Sequence, residues 1–219
     1  MIQDGLLLAV DTCGAIGSVG LGRLENGRIV LLGEMTLAGG EFAARLVDAI
    51  ADLLDAAGVR PGELAGIVAV AGPGSFTGIR IGLAAVKALA EAGDLPVVAV
   101  SRLELLAAVA GSPCAVLDAH RGQIFCGFFE AEAREALLTA GEVNTMGGLQ
   151  GRVAVCEEAV VQFLEMLVGE PEFVRVPAPG AAAALEFSVE RWLAGAFADV
   201  AALDGHYLRG ADAKVGVRG

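Results

Sequence analysis

The stretch that most constrains this chain is residues 72–82, GPGSFTGIRIG. The six residues before it, GIVAVA at 66–71, carry no polar alternation. That pattern predicts a strand covered on both faces, as parallel strands between helix layers are. After the turn, an apolar periodic segment predicts a helix over 78–92. Glycines at 72, 74 and 78 open backbone angles closed to other residues. Ser75 or Thr77 supplies a helix cap. Two readings of the turn stand at this point. A glycine-rich entry to a helix N-terminus is an anion site, because amides and the helix dipole converge there. It is also, and more commonly, a tight turn that packs helix on sheet. No Gly-Lys-Ser/Thr closes it, so it is not a Walker A loop, and it lacks the GxGxxG pattern.

The helix that follows narrows the function. Its only charged residues are Arg80, Lys87 and Glu91, seven and four apart, on one stripe. The rest of its circumference is Ile, Leu, Val, Ala and Gly. A helix apolar nearly all round is covered on more than one side. Its own sheet covers one side, and a second helix or another protein covers the rest.

Elsewhere, residues 6–11, 16–22 and 28–34 read as strands of an antiparallel meander, with Asn26-Gly27 as a hairpin turn. Residues 41–57 read as a helix with a polar stripe at Glu41, Arg45, Asp48, Asp52 and Asp55, ended by Gly58. A strand is expected at 96–100 and a helix at 103–110. A second unit opens with strands at 114–118 and 123–130. Further elements are expected as a strand at 152–156, a helix near 157–168, a strand at 172–176 and a helix near 181–197. No Ser- or Pro-rich linker appears. The expected organisation is a lobe over 1–103 and a smaller one over 104–219.

Composition excludes several classes. Hydrophobic residues make up 55% of the 219, with a mean hydropathy of +0.65, so disorder is not expected. No window holds 18 or more uninterrupted apolar residues, and no membrane span is expected. The opening MIQDGLLLAVDTCG lacks a basic leader, which places the protein in the cytoplasm. Fifteen basic against 27 acidic residues leave −12. Nucleic-acid affinity rests on Lys and Arg, so the chain is a poor RNA binder by itself. Cys13, Cys114, Cys126 and Cys156 form no CxxC pair, and His120 and His206 are far apart. No metal site is expected; the cysteines read as small buried thiols.

Two strand-end aspartates remain. Asp11 ends the first strand, before Thr12. Asp118 stands at the matching place of the second unit. Such aspartates are common turn residues, but a matched pair is more specific than one. With Thr12, Gly74, Ser75, Thr77 and Gly78 they make a candidate vestigial nucleotide or anion site. His120 and Arg121 have no visible nucleophile or second base nearby. No GxSxG, HExxH or HxxxH motif occurs, so no catalytic residue is assigned.

The order of elements resembles the actin, sugar kinase and heat-shock ATPase superfamily. More specifically, LAVDT…SVGL, GPGSFTGIRIGLAAVKALA, PVVAVSRLELLA and LDAHRGQIF resemble the TsaB (YeaZ) family, as does the end around Tyr207 and Arg209. The resemblance is close over about residues 6–130. It implies an α/β actin-like (ribonuclease H-like) fold of two lobes, each a mixed sheet flanked by helices. It implies a non-catalytic scaffold that docks and activates TsaD, the enzyme placing threonylcarbamoyl on adenosine 37 of tRNAs reading ANN codons. TsaE would join the pair and TsaC would act before it. The tRNA would be held only by the complex. The chain would require no cofactor, with ATP or ADP at the subunit boundary. Family dimers pack the first two helices of one subunit against those of the other; without that partner, an apolar face on these helices is expected to find cover in a homodimer. Carried onto this sequence, the interface is Phe42, Arg45, Leu46, Ala49, Leu53, Ile79, Arg80, Leu83, Ala84, Val86, Lys87 and Ala90. Phe42, His120, Gln123 and Phe125 depart from the residues common in the family. Its old glycoprotease label finds no support in these residues. The alternative reading is a small sugar or acid kinase using Asp11 and Asp118 to hold Mg-ATP.

Overall fold

The computed structural model describes residues 4–130 and 132–208. The described chain divides into two units. Of these residues, unit 1 holds 4–101 and 180–206, and unit 2 holds 102–130, 132–179 and 207–208.

Unit 1 is built on a five-stranded sheet in the order β3-β2-β1-β4-β5. Its strands are β1 (Gly5–Asp11), β2 (Ile16–Glu25), β3 (Arg28–Ala38), β4 (Leu64–Val70) and β5 (Val97–Val100). β1, β2 and β3 form the antiparallel meander, and β4 and β5 add in parallel. Asn26 and Gly27 both take positive φ, 51° and 77°, as a two-residue hairpin turn requires. Helices α1 (Phe42–Ala56) and α2 (Phe76–Gly93) cover one face. A helix from far along the chain, α6 (Ala181–Leu193), lies against all five strands. The two faces follow from the strand period of two: Gly17 faces Phe42 of α1, and Gly20 faces Ala181 of α6.

Unit 2 repeats this plan. Its strands are β6 (Cys114–Asp118), β7 (Gln123–Phe128), β8 (Arg134–Thr139), β9 (Leu149–Val155) and β10 (Gly169–Arg175). Their order, β10-β9-β6-β7-β8, is the first sheet's order strand for strand. The parallel and antiparallel pairings match as well. Helix α3 (Arg102–Ala110) packs Leu103, Leu106 and Ala107 on Ala115 and Leu117. On the other face, α4 (Ala140–Thr145) and α5 (Glu158–Glu165) pack Val143, Val160, Val161 and Leu164 over Cys114, Val116 and Cys126.

Several expectations are corrected here. A continuous second lobe over 104–219 does not hold, because Gly180–His206 belongs to unit 1. The apolar face of α6 fits the first sheet, and sequence order does not reveal which sheet a helix joins. Strand β8 and helix α4 fill a stretch for which no element was expected. Thr139 and Glu142 make the capping box that starts α4, with the Thr139 N–H donating to Glu142 Oε2 at 2.8 Å. Helix α2 starts at Phe76 because Ser75 is its cap: Ser75 Oγ accepts from the Gly78 N–H at 3.2 Å. Among the described residues no helix is long and apolar enough to cross a membrane.

Candidate functional site

The glycine turn is filled by the chain itself. Thr12 and Cys13, in the link from β1 to β2, lie across the start of α2. The Ser75 N–H donates to the Cys13 carbonyl at 2.8 Å. Thr12 Oγ1 donates to the Gly78 carbonyl at 2.7 Å. A Cβ at Gly74 would overlap the Cys13 carbonyl, one at Gly78 the Thr12 carbonyl, and one at Gly82 the Thr12 hydroxyl. These glycines therefore let a loop touch a helix backbone to backbone. Of the two readings left by the sequence, the geometry matches the packing turn. Gly72, two residues after β4, has φ +115° and lies beside the His206 backbone, whose N–H donates to the Ala71 carbonyl at 2.7 Å.

Replacing Gly78 with Ala tests this packing. Ala gains about 1 kcal/mol of helix propensity over Gly. Overpacking costs about 1–3 kcal/mol, at its upper end here because the obstacle is backbone. A net loss of stability is expected in urea denaturation. A gain would mean that the loop yields freely.

The two strand-end aspartates do the same job in each unit. Asp11 Oδ1 accepts from the Cys13 N–H at 2.8 Å. Asp118 Oδ1 accepts from the His120 N–H at 2.7 Å. Both are aspartate turns two residues long. Asp118 Oδ2 also lies 2.9 Å from His120 Nδ1. Asp11, Thr12, Gly74, Ser75, Thr77 and Gly78 all fall in unit 1, and Asp118 falls in unit 2. His120, Arg121 and Gly122 carry φ of 59°, 57° and 71° in the β6–β7 turn. For the first two this is left-handed backbone that costs a non-glycine residue about 1–2 kcal/mol.

Sequence reasoning missed Arg102 and Glu157. Arg102 is one of the buried charged residues, and its Nη2 lies 3.4 Å from Glu157 Oε1. Glu157 Oε2 accepts from the Asp118 N–H at 2.7 Å. Neighbouring Cys156 is held up to about 11, by burial first and by the Glu157 carboxylate second. Its raised value favours the neutral thiol in the folded state. Its contribution to stability is present below the free-thiol value of about 8.5 and is lost as pH rises towards about 11. Slow alkylation of Cys156 at pH 8 in the native chain, against fast alkylation in urea, is the expected measurement. Among the described residues no group of three or more His, Cys, Asp or Glu could hold a metal ion.

The expected interface divides into two sets. Phe42, Leu46, Ala49, Leu53, Ile79, Leu83, Val86 and Ala90 are buried inside unit 1. Their periodicity marks the face turned to the sheet and to the other helix, so they are not a surface. Arg45, Arg80 and Ala84 are exposed and Lys87 is half-buried, with Lys87 Nζ donating to the Ala201 carbonyl. The outward face of α1 carries Ala43, Ala44, Val47 and Ala51, and that of α2 carries Phe76, Thr77, Ala84 and Ala88. Val47 is 70% exposed and Phe76 53%. The Arg80 guanidinium lies 3.8 Å from the Phe76 ring centroid. Tyr207 is described; Arg209 lies outside the described residues.

Comparison with known proteins fits this geometry. The family profile described as TsaD, tRNA N6-adenosine threonylcarbamoyltransferase, matches residues 36–146, just over half of the chain. TsaB, the tRNA threonylcarbamoyladenosine biosynthesis protein of Bacillus subtilis, is 35% identical over 128 residues, 57% of this chain and 55% of that protein. The tRNA N6-adenosine threonylcarbamoyltransferase of Caulobacter vibrioides is 49% identical over 69 residues, 29% of this chain and 19% of that protein. The chain thus spans little more than half the length of the first of these relatives. The solved structure of YeaZ from Pseudomonas aeruginosa superposes with a TM-score of 0.72 at 28% identity, covering 93% of this chain and all of that one. The fold is therefore the two-lobed, ribonuclease H-like α/β fold, and the chain belongs to the TsaD family, within which it groups with the proteins called TsaB or YeaZ.

Proposed function

We propose that this chain is the non-catalytic accessory subunit of a complex that makes N6-threonylcarbamoyladenosine in tRNA. It docks on and activates its catalytic relative, a tRNA N6-adenosine threonylcarbamoyltransferase, in the cytoplasm. One observation carries the non-catalytic reading: the helix N-terminus that would cradle a phosphate is occupied by Thr12 and Cys13 of the same chain. The docking surface is the outward face of α1 and α2, with Val47, Ala51, Phe76, Ala84 and Ala88 at its centre and Arg45, Asp48, Arg80 and Glu91 around it. Small side chains there let a partner helix come close. The same face supports a homodimer when the partner is missing. The ATPase TsaE, and TsaC as supplier of the activated group, complete the assembly. Any ATP or ADP sits at the subunit boundary. Net charge of −12 leaves the tRNA to the partner.

Co-expression with the threonylcarbamoyltransferase of the same organism, followed by sizing and a tRNA modification assay, tests the reading. Co-elution and faster modification are expected. A folded chain that elutes alone and leaves the rate unchanged would overturn it. Tight binding of ATP by the isolated chain would return the kinase alternative.

A further inference from the structure

Unit 2 covers its sheet more thinly than unit 1. In the places of α1 and α2, of 15 and 18 residues, it has α4 and α5, of six and eight. At a rise of about 1.5 Å per residue these are about 9 and 12 Å long. The seven-residue strands β9 and β10 are about 23 Å long. The helices therefore end before the sheet does, and the links after them lie over the amino-terminal ends of β9 and β10. The two links run side by side. The Val168 N–H donates to Asn144 Oδ1 at 2.9 Å, a Cβ at Gly148 would overlap the Val168 carbonyl, and Leu149 pairs with Gly169 where the strands begin.

Large apolar side chains stay uncovered on these links. Met166 is 76% exposed, Val168 59% and Met146 47%. Apolar groups gathered in water mark a binding surface, and methionine is enriched at such surfaces because its flexible thioether adapts to a partner. The charge around them is of one sign. Glu142 stands one helical turn before Met146, Glu165 directly precedes Met166, and Glu170 follows Val168 by two; all three are exposed. The Thr139 N–H and hydroxyl hold the Glu142 carboxyl below the usual carboxylate range, so it is charged at neutral pH. Between Arg134 and Arg175 the sequence has seven glutamates and one basic residue, Arg152. Arg152 donates to the Gly111 carbonyl at 2.9 Å, and Arg175 pairs with Glu158.

We propose that this patch, Met146, Met166 and Val168 with Glu142, Glu165 and Glu170 around it, docks a basic amphipathic segment of a partner protein. Apolar side chains of that segment meet the methionines, and its Lys or Arg side chains meet the glutamates. The charge decides the occupant. A second copy of this chain, meeting the patch face to face, would set glutamates against glutamates, which is repulsive. A basic segment turns the same charges into attraction and faster encounter. Three apolar side chains make a small contact, of the weak and transient class. The inference stands apart from the docking face of α1 and α2, which lies in unit 1, and neither depends on the other.

The test uses the full chain and a fluorescein-labelled amphipathic peptide of leucine and lysine, followed by anisotropy. A peptide of leucine and glutamate is the control. The lysine peptide should bind, more weakly as salt rises, and the glutamate peptide should not. Hydrogen exchange should slow over 142–148 and 164–170 when the lysine peptide is bound. Glu165→Gln/Glu170→Gln should weaken binding about three- to ten-fold, and Met166→Ser/Val168→Ser about ten-fold. Both variants change exposed side chains and should melt close to wild type. Glu186→Gln/Glu190→Gln removes two exposed charges from α6 in unit 1 and should leave binding unchanged, which separates the patch from the bulk charge of −12. The exchange map of the wild type carries the test if a variant does not fold. Absence of binding, equal weakening in the α6 variant, or protection on α1 and α2 instead would overturn the proposal. So would a dimer of the chain alone that Met166→Ser/Val168→Ser dissolves.

Discussion

Replacing Trp192 with alanine is expected to lower the stability of unit 1 by about 3–5 kcal/mol. Trp192 is 2% exposed and is the chain's only tryptophan. Its ring lies so close to Gly66 of β4 that a Cβ at Gly66 would overlap it. Phe197 meets it edge-on, with centroids 5.1 Å apart. One term works the other way. Trp192 Nε1 is buried with no hydrogen-bond partner among the described residues, so truncation also removes an unsatisfied donor worth about 1–3 kcal/mol. The cavity left by a tryptophan outweighs that gain in alanine but not necessarily in phenylalanine, which keeps most of the ring volume. Trp192→Phe is therefore expected within about 1.5 kcal/mol of wild type. Since a domain has only about 5–15 kcal/mol in total, Trp192→Ala removes a large share of it. Urea titration by circular dichroism, with hydrogen exchange over β1–β5 to localise the loss, makes the measurement. A loss under about 1 kcal/mol, or one confined to β6–β10, would mean that α6 does not hold the first sheet together.

That result bears on what the sequence made legible. The hairpin at Asn26-Gly27, the uninterrupted strand before the glycine turn and the polar stripe of α1 were all readable, because each is a local pattern with one structural meaning. The return of α6 to unit 1 was not. The chain says that 181–193 is an amphipathic helix, but the sheet it covers is set by shape matching across more than 150 residues, as in the Ala181 N–H donating to Ser18 Oγ. Helix α4 had a readable signal, the Thr139–Glu142 capping box, that went unused. β8 is half-buried along most of its length, so it shows no clean alternation. The Arg102–Glu157 pair joins residues 55 apart and leaves no periodic trace at all. The glycine turn lay between these cases. Its glycines announced a close backbone approach without naming what approaches, and the answer, Thr12 and Cys13, came only from the fold.

The double substitution Val47→Glu/Ala84→Glu is expected to abolish co-elution with the catalytic partner while leaving the melting temperature of the isolated chain nearly unchanged. Both side chains point outward from the helix layer, and exposed substitutions of this kind shift stability by about 0.5 kcal/mol or less. In a docked complex the same two positions would bury carboxylates without partners. An uncompensated buried charge costs about 3–5 kcal/mol, which is about 100-fold or more in affinity for each. Leu83, one of the residues that the resemblance implied, cannot serve this purpose. It is almost fully buried between α2 and its own sheet, so a glutamate there would unfold unit 1 and lose the complex for a trivial reason. The contrast between the two variants is the informative part. Loss of binding with an intact melt in Val47→Glu/Ala84→Glu locates the partner on the outward face of α1 and α2. An unchanged complex would move the docking surface elsewhere on the chain, and would leave the exposed Val47 and Phe76 without a role.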